Sequence, residues 1–312
     1  MTREQTLHQL ASIVVSRIPP HPLRVAIDGI DAAGKTTLAD ELAPLIEAQG
    51  RPVIRASIDG FHQPRSVRYQ REANSAKGYY EDSFDYASLR AVLLQPLGPH
   101  RDRRYQSAIF DVRTDTPVSR REEEAPPHAV LLFDGVFLLR HELADLWDYQ
   151  IFVFVRMETA LQRALHRDLP LFGSAETVRA RYMQRYLPGQ RLYYQTIHPQ
   201  EQADVIVDNN DSIGRTQSFL DLALFVLSER SNKNGCFHHS CSSLGRRGLF
   251  NAMNLPIQSA RPGARPAADE RMPSDPRPTV LVPPAPQNDR LVAFESSAAR
   301  AGSAPPIRAE AS

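Results

Sequence analysis

The chain has 312 residues, 42% of them hydrophobic, with 37 basic and 36 acidic side chains giving a formal net charge of +1. That near balance argues against nucleic acid or a membrane surface as the main partner, because either calls for a strong basic field or a long apolar run. The chain holds two cysteines, Cys236 and Cys241, and its charged start lacks the apolar core of a secretion signal, so the expected location is cytoplasmic.

Taken in chain order, residues 1–20 should hold an amphipathic helix from about Glu4 to Ile18, with Leu7, Leu10, Ile13 and Val14 on one face. Leu23–Ile27 (LRVAI) suits a buried parallel strand, and Leu38, Leu42, Leu45 and Ile46 recur at helical spacing over Thr36–Ala48. Between them, Gly29-Ile-Asp-Ala-Ala-Gly-Lys-Thr36 has the G-x-x-x-x-G-K-[ST] spacing of a P-loop. Such a loop turns backbone N–H groups inward around a polyphosphate, and the following helix N-terminus adds partial positive charge. Gly29, Asp31, Ala32, Ala33, Gly34, Lys35, Thr36 and Thr37 are therefore expected to hold a nucleoside triphosphate. Lys35 should reach the β/γ-phosphates, and the Thr36 hydroxyl is placed to hold Mg²⁺.

A second strand is expected over Pro52–Ile58, ending in Asp59-Gly60-Phe61-His62. Residues 63–83 are polar and aromatic without clear period, which predicts a long functional loop. A helix over Tyr86–Leu94 and an edge hairpin over Arg103–Thr114 follow. Apolar strands are expected at Ala129–Phe133, Gln150–Val155 and, last, Ala203–Val207. Helical patterns fall at Leu138–Trp147, Glu158–Arg167, Ala175–Tyr186 and Gln217–Leu227, with Ser174 as an N-cap and Pro188-Gly189 as a helix breaker. This alternation predicts an α/β fold, a parallel sheet of the P-loop nucleoside triphosphate hydrolase type with helices on both faces. Residues 1–230 form the expected domain, and 231–312, rich in Pro, Ala, Ser and Arg, read as a disordered tail. The tail's Cys236-Phe-His-His-Ser-Cys241 matches no standard zinc spacing and reads as incidental.

Ligands of open α/β sheets collect at the carboxyl ends of the strands, where Asp28, Asp59 and Asp134 stand. Asp134, after the apolar run LLF, has the form of a carboxylate that holds Mg²⁺ directly or through water, with helix capping as the plainer role. Asp28 reads either as a ligand or as support for the loop. Asp59 at a neighbouring strand tip is suited to accept a proton from an attacking hydroxyl, unless it only shapes the turn before Gly60.

The P-loop, Asp59-Gly-Phe-His, Tyr79-Tyr-Glu-Asp-Ser-Phe-Asp85, LLFDGVF and Arg167-Asp168 follow the order of the uridine kinase/phosphoribulokinase family, which residues 22–230 resemble. The resemblance implies an ATP-dependent kinase that phosphorylates a hydroxyl of a small molecule, with Mg²⁺ as cofactor. It implies Asp59, Lys35 and Arg167 as catalytic, Arg163 and Arg167 as lid-helix arginines near the phosphates, and a lid over about 167–176. It also implies an acceptor-binding segment over 60–115, with Asp59, Phe61, His62, Tyr79, Asp82 and Tyr105 on the acceptor, Tyr105 against a nucleobase. Three positions depart from the uridine kinase pattern: Asp134 stands for Glu, Tyr79-Tyr80-Glu81 for D-H-P, and Phe110 for the His five residues after the hairpin Tyr. A pyrimidine nucleoside is the main acceptor expected. A sugar, pantothenate or another small metabolite, a thymidylate-kinase-like activity, and a P-loop ATPase without acceptor are the alternatives. The oligomeric state is left open, a homo-oligomer included.

Overall fold

Successive strand residues face opposite sides of a sheet, and this chain fills both sides with apolar side chains. Val25, Ile27, Val130 and Leu132 share one core with Leu10, Val14, Leu38, Leu42 and Ile46 of the first two helices. Ala26, Leu131 and Phe133 turn to the other face, where Phe61, Trp147, Tyr193 and Ile197 join them. Both layers are thus built from one alternating pattern.

The computed structural model describes residues 2–119, 121–210 and the backbone of 223–226, all within one compact unit. The expected tail, with its Cys and His residues, lies outside the described residues. In chain order the first half runs α1 (Arg3–Ser16), β1 (Leu23–Gly29), α2 (Lys35–Glu47), β2 (Val53–Ser57), α3 (Arg65–Arg68), α4 (Ala76–Asp82) and α5 (Tyr86–Leu89). Four two-residue strands follow: β3 (Arg104–Tyr105), β4 (Phe110–Asp111), β5 (Thr116–Pro117) and β6 (Glu123–Glu124). The second half holds β7 (Val130–Gly135), β8 (Tyr149–Phe154), α6 (Met157–Arg167), α7 (Leu169–Phe172), α8 (Ala175–Arg181), α9 (Leu187–Ile197), α10 (Pro199–Gln202), β9 (Val205–Asp208) and β10 (Ala223–Val226).

The main sheet has the order β10-β9-β8-β1-β7-β2. It is parallel except for β10, which runs antiparallel to β9. Because β7 lies between β1 and β2, Ile27 and Ser57 both pair with Asp134 in register, and the carboxyl ends of three strands meet side by side. That crevice is where ligands of such sheets bind.

Several expected elements differ. Leu138–Trp147 is no helix, holding only a 3₁₀ turn at Ala144–Leu146. Its backbone finds other partners: Leu138 N–H donates to Asp28, Leu139 N–H to the Tyr193 hydroxyl, and the Leu138 carbonyl accepts from Trp147 Nε1. Where Gln217–Leu227 suggested a helix, Ala223–Val226 is a strand; the open edge of β9 offers it a hydrogen-bonding ladder. The rest of that segment lies outside the described residues. Residues 63–83 carry α3 and α4 rather than loop alone, and in place of one hairpin over 103–114, β3 pairs with β6 and β4 with β5. Pro188 does not break its helix. A wide π turn over Tyr182–Tyr186 resets the chain so that Pro188 falls in the first turn of α9, where its missing N–H costs little.

Phe133 is fully buried, with Trp147 at 5.5 Å and Phe61 at 6.1 Å between ring centroids. Phe133→Ala is expected to lower unfolding stability by about 3–5 kcal/mol, read from the shift in the urea midpoint.

Candidate active site

The turn between β1 and α2 needs backbone conformations that few residues adopt. Ala32 and Gly34 have φ of +58° and +90°. A Cβ on Gly34 would lie 2.6 Å from Asn209 Nδ2. Asn209 braces the loop from behind, donating from Nδ2 to the Ala33 carbonyl at 2.8 Å. Arg163 adds to this bracing, bonding the Asn209 carbonyl at 2.7 Å and the Ala33 carbonyl at 3.5 Å. Arg163, expected near phosphate, thus grips the back of the loop. In sequence Asn209 is the middle of Asp208-Asn-Asn210, a polar triplet of the kind ordinary turns carry.

Lys35 is buried and donates from Nζ to the Ile30 carbonyl at 2.7 Å. Burial pulls its pKa down, and the carboxylates of Asp31, Asp28 and Asp134 oppose that pull. Thr36 donates its hydroxyl to Asp134 Oδ2 at 2.7 Å, and Ser57 donates to the Asp134 carbonyl oxygen at 3.1 Å. Arg55 closes the other side of Asp134, at 3.1 Å from Oδ1. The hydroxyl and carboxylate oxygens of Thr36, Asp134 and Ser57 are the hard donors that Mg²⁺ takes, usually with phosphate and water completing the shell. These residues fit the ion.

Asp59 sits exposed in the 3₁₀ turn Ile58–Phe61 that follows β2. It lines a cleft of about 270 Å³ together with Asp31, Lys35, Thr36, Asp134 and Arg167. His62 Nδ1 lies 3.1 Å from the Asp59 carbonyl oxygen, and the ring packs on Phe84 with centroids 4.6 Å apart. Burial holds the imidazole pKa below its usual value, although the Asp59 charge opposes this, so at neutral pH it is uncharged. At the far wall, Arg167 makes a two-pronged ion pair with Asp168, at 2.6 and 3.0 Å, and Tyr182 donates to the same carboxylate at 2.9 Å.

Tyr79, Lys35, Thr36, Asp59, His62, Asp134 and Arg167 converge on one cleft. Three expected acceptor residues do not. Phe61 is fully buried against Phe133, because its side of the turn faces the core. Asp82 pairs with Arg71 at 2.7 Å, and the buried Tyr105 donates its hydroxyl to Glu123 at 3.3 Å across the β3–β6 pair. Thr37 is exposed on α2 outside the cleft lining. Phe84, quoted within a motif but given no role, lines the cleft, and so do Ser57, Tyr182 and Tyr186, which sequence reasoning left out. Only their proximity to motif residues could have flagged them.

Behind the cleft, Asp28 accepts hydrogen bonds from the Tyr193 hydroxyl and from Leu138 N–H at 3.4 Å. Asp28 thereby supports the turn after β7, and Tyr193 packs in the core beside it.

A P-loop braced at the centre of a parallel sheet, facing a carboxylate that meets its threonine, defines the class: a nucleotide-binding α/β fold of the kinase type. The profile of the Phosphoribulokinase / Uridine kinase family matches residues 25–212, and the chain belongs to that family of P-loop kinases. A uridine kinase of Leuconostoc citreum is 28% identical over 192 residues, covering 60% of this chain and 87% of that protein. Uridine-cytidine kinase B of Dictyostelium discoideum is 27% identical over 236 residues, 74% of this chain and 91% of its own. In structure, a protein described as a possible uridine kinase from Bacillus stearothermophilus superposes with a TM-score of 0.53 at 22% identity. It covers 65% of this chain and 97% of its own, and it supports the same fold. No helix among the described residues is long and apolar enough to cross a membrane.

Burial pushes the Asp28 carboxyl up to about 6, while the Tyr193 bond and the Lys35 charge pull the other way. The folded protein thus holds this proton more tightly than the unfolded chain. Its stabilising contribution is complete below about pH 4 and is lost as pH rises through about 6. Asp28→Asn removes the titration. Urea unfolding of both proteins at about pH 4.5 and 7.5 should show the stability difference moving in favour of the variant at the higher pH.

Proposed function

We propose that the protein transfers the γ-phosphate of ATP to a hydroxyl of a small metabolite, with a pyrimidine nucleoside as the first acceptor. The observation that carries this reading is the convergence of Lys35, Thr36, Asp134 and Asp59 on one cleft. Its volume of about 270 Å³, just below the usual range of small-molecule sites, suits a small acceptor such as a nucleoside or sugar.

In this reading the loop amides and Lys35 hold the β/γ-phosphates, and Thr36 and Asp134 hold Mg²⁺, which supplies charge neutralisation when bound. Asp59 stands exposed in the cleft and accepts the proton of the attacking hydroxyl. Arg167, kept fully protonated by Asp168, balances charge on the transferring group. Transfer by such a site is mostly positioning and electrostatics. The work takes place in the cytoplasm, where ATP and Mg²⁺ are at hand.

One observation favours an acceptor without a base. Tyr105, the residue expected against a nucleobase, is buried and bonded to Glu123, and Phe110 stands where the family pattern has His. A candidate fructose transport system kinase from Silicibacter sp. TM1040 is 25% identical and superposes with a TM-score of 0.52, covering 61% of this chain and 94% of its own. A sugar acceptor is therefore the second reading.

ADP release from ATP, measured with and without uridine, cytidine, ribose, fructose and pantothenate, tests both. Stimulation by a nucleoside supports the first reading and by a sugar the second; basal hydrolysis with no stimulation would sink both in favour of a plain ATPase. With the stimulating acceptor, Asp59→Asn is expected to cut transfer about a hundred-fold or more while ATP affinity persists. Unchanged turnover would remove the proton-accepting role, and joint loss of turnover and ATP binding would assign Asp59 to the metal instead.

A further inference from the structure

Asp31 stands by motif position among the nucleotide-binding residues, yet its carboxylate is not built for that task. P-loops hold phosphates with N–H groups and cations, and an anionic side chain turned toward them would be repelled. Here the carboxylate is bonded instead to α4 and α9. Oδ2 accepts from the Tyr79 hydroxyl of α4 at 2.6 Å and from Gln190 Nε2 of α9 at 3.3 Å. Asp31 Oδ1 accepts no hydrogen bond from any described residue, and Asp31 and Tyr79 line the same cleft as Asp59.

We propose that Asp31, with Tyr79 and Gln190, is the acceptor-hydroxyl subsite, and that the acceptor is a polyhydroxy compound carrying a vicinal diol, such as a ribose ring. This rests on the kinase reading above. A carboxylate oxygen left open in a cleft calls for a hydrogen-bond donor, either a hydroxyl or an ammonium. Lys35 and Arg167 already place positive charge against Asp31 and offset its own, so a neutral hydroxyl suffices as the donor. Burial and the Asp31 charge hold the Tyr79 phenol well above its usual pKa, so it stays a donor to Asp31. Gln190 is 1% exposed and lies outside the cleft lining, so it holds Asp31 from behind. One hydroxyl donates to the open Asp31 oxygen, and its neighbour donates to the Tyr79 hydroxyl oxygen, whose own proton is held by Asp31. Without a D-H-P segment, this P-loop carboxylate supplies the anionic group that grips the sugar.

The test compares uridine with 2′-deoxyuridine and 3′-deoxyuridine, and D-ribose with 2-deoxy-D-ribose, in wild type, Asp31→Ala and Tyr79→Phe. Wild type should prefer the diol acceptors by about ten-fold or more in kcat/KM, since a site built for hydroxyls is left with unpaired groups by the deoxy forms. Asp31→Ala should raise the KM of the diol acceptor at least about ten-fold and bring the diol/deoxy ratio toward one. Tyr79→Phe should give a smaller change in the same direction. If Asp31→Ala melts below the assay temperature, the isosteric Asp31→Asn carries the same comparison. A preserved diol/deoxy ratio in the variant would overturn the subsite, as would a fall in ATP affinity with acceptor KM unchanged or a wild type that uses pantothenate alone. A wild type stimulated by no acceptor would remove the kinase reading and the subsite together.

Discussion

A buried ammonium needs counter-charge, and Lys35 draws it from carboxylates on three elements: Asp31 in the loop, Asp28 on β1 and Asp134 on β7. Without them, burial would favour the neutral amine and the loop would lose the cation that phosphate requires. Strand order brings these carboxylates together. With β7 beside β1, Asp134 stands level with Ile27, within reach of the first turn of α2. The sheet therefore sets the charge state of its central residue as well as its position.

Each carboxylate has a second partner that fixes where it points. Asp134 is held between Thr36 and Arg55, Asp31 by Tyr79 and Gln190, and Asp28 by Tyr193 and Leu138 N–H. The tyrosines are buried and stay protonated, so each donates one bond to an anion that burial alone would penalise. Tyr193 and Gln190 both lie on α9, which thus joins the base of the P-loop to its rim. The region from α6 to α8 adds Arg167, whose two-pronged pair with Asp168 holds a flat, permanently charged group beside the cleft. Leu171 and Phe172 of α7 reach the same cleft, so the end of α6 and the short helix after it enclose the site from one side.

Much of this was legible in the chain itself. The P-loop spacing, the apolar strand runs and the acids after them predicted the sheet, the cleft and most of its charged lining, because those features depend on local pattern and short-range geometry. The strands before Gly29 and Asp134 can be read residue by residue, since parallel strands buried on both faces must be nearly all apolar. What the pattern could not separate was two fates for the same residue type. Leu138, Leu139 and Leu143 have helical spacing, yet they are core residues of an irregular turn in which the Leu138 and Leu139 N–H groups are claimed by Asp28 and Tyr193, remote in sequence. Phe61 and Tyr105 belong to motifs that face a ligand by resemblance, but here both side chains pack inward.

The sequence by itself therefore determined the fold class, the phosphate-binding loop and the identity of the main charged residues, all written in contiguous segments. Tertiary structure alone decided which of those residues meet. It turned Asp31 toward Tyr79 of α4 and set Arg163 behind the loop, and it left Asp82 paired with Arg71 outside the cleft lining. The physical reason is that a side chain's partner is chosen among all groups within a few ångströms, and most such groups in this cleft come from segments far apart in the chain.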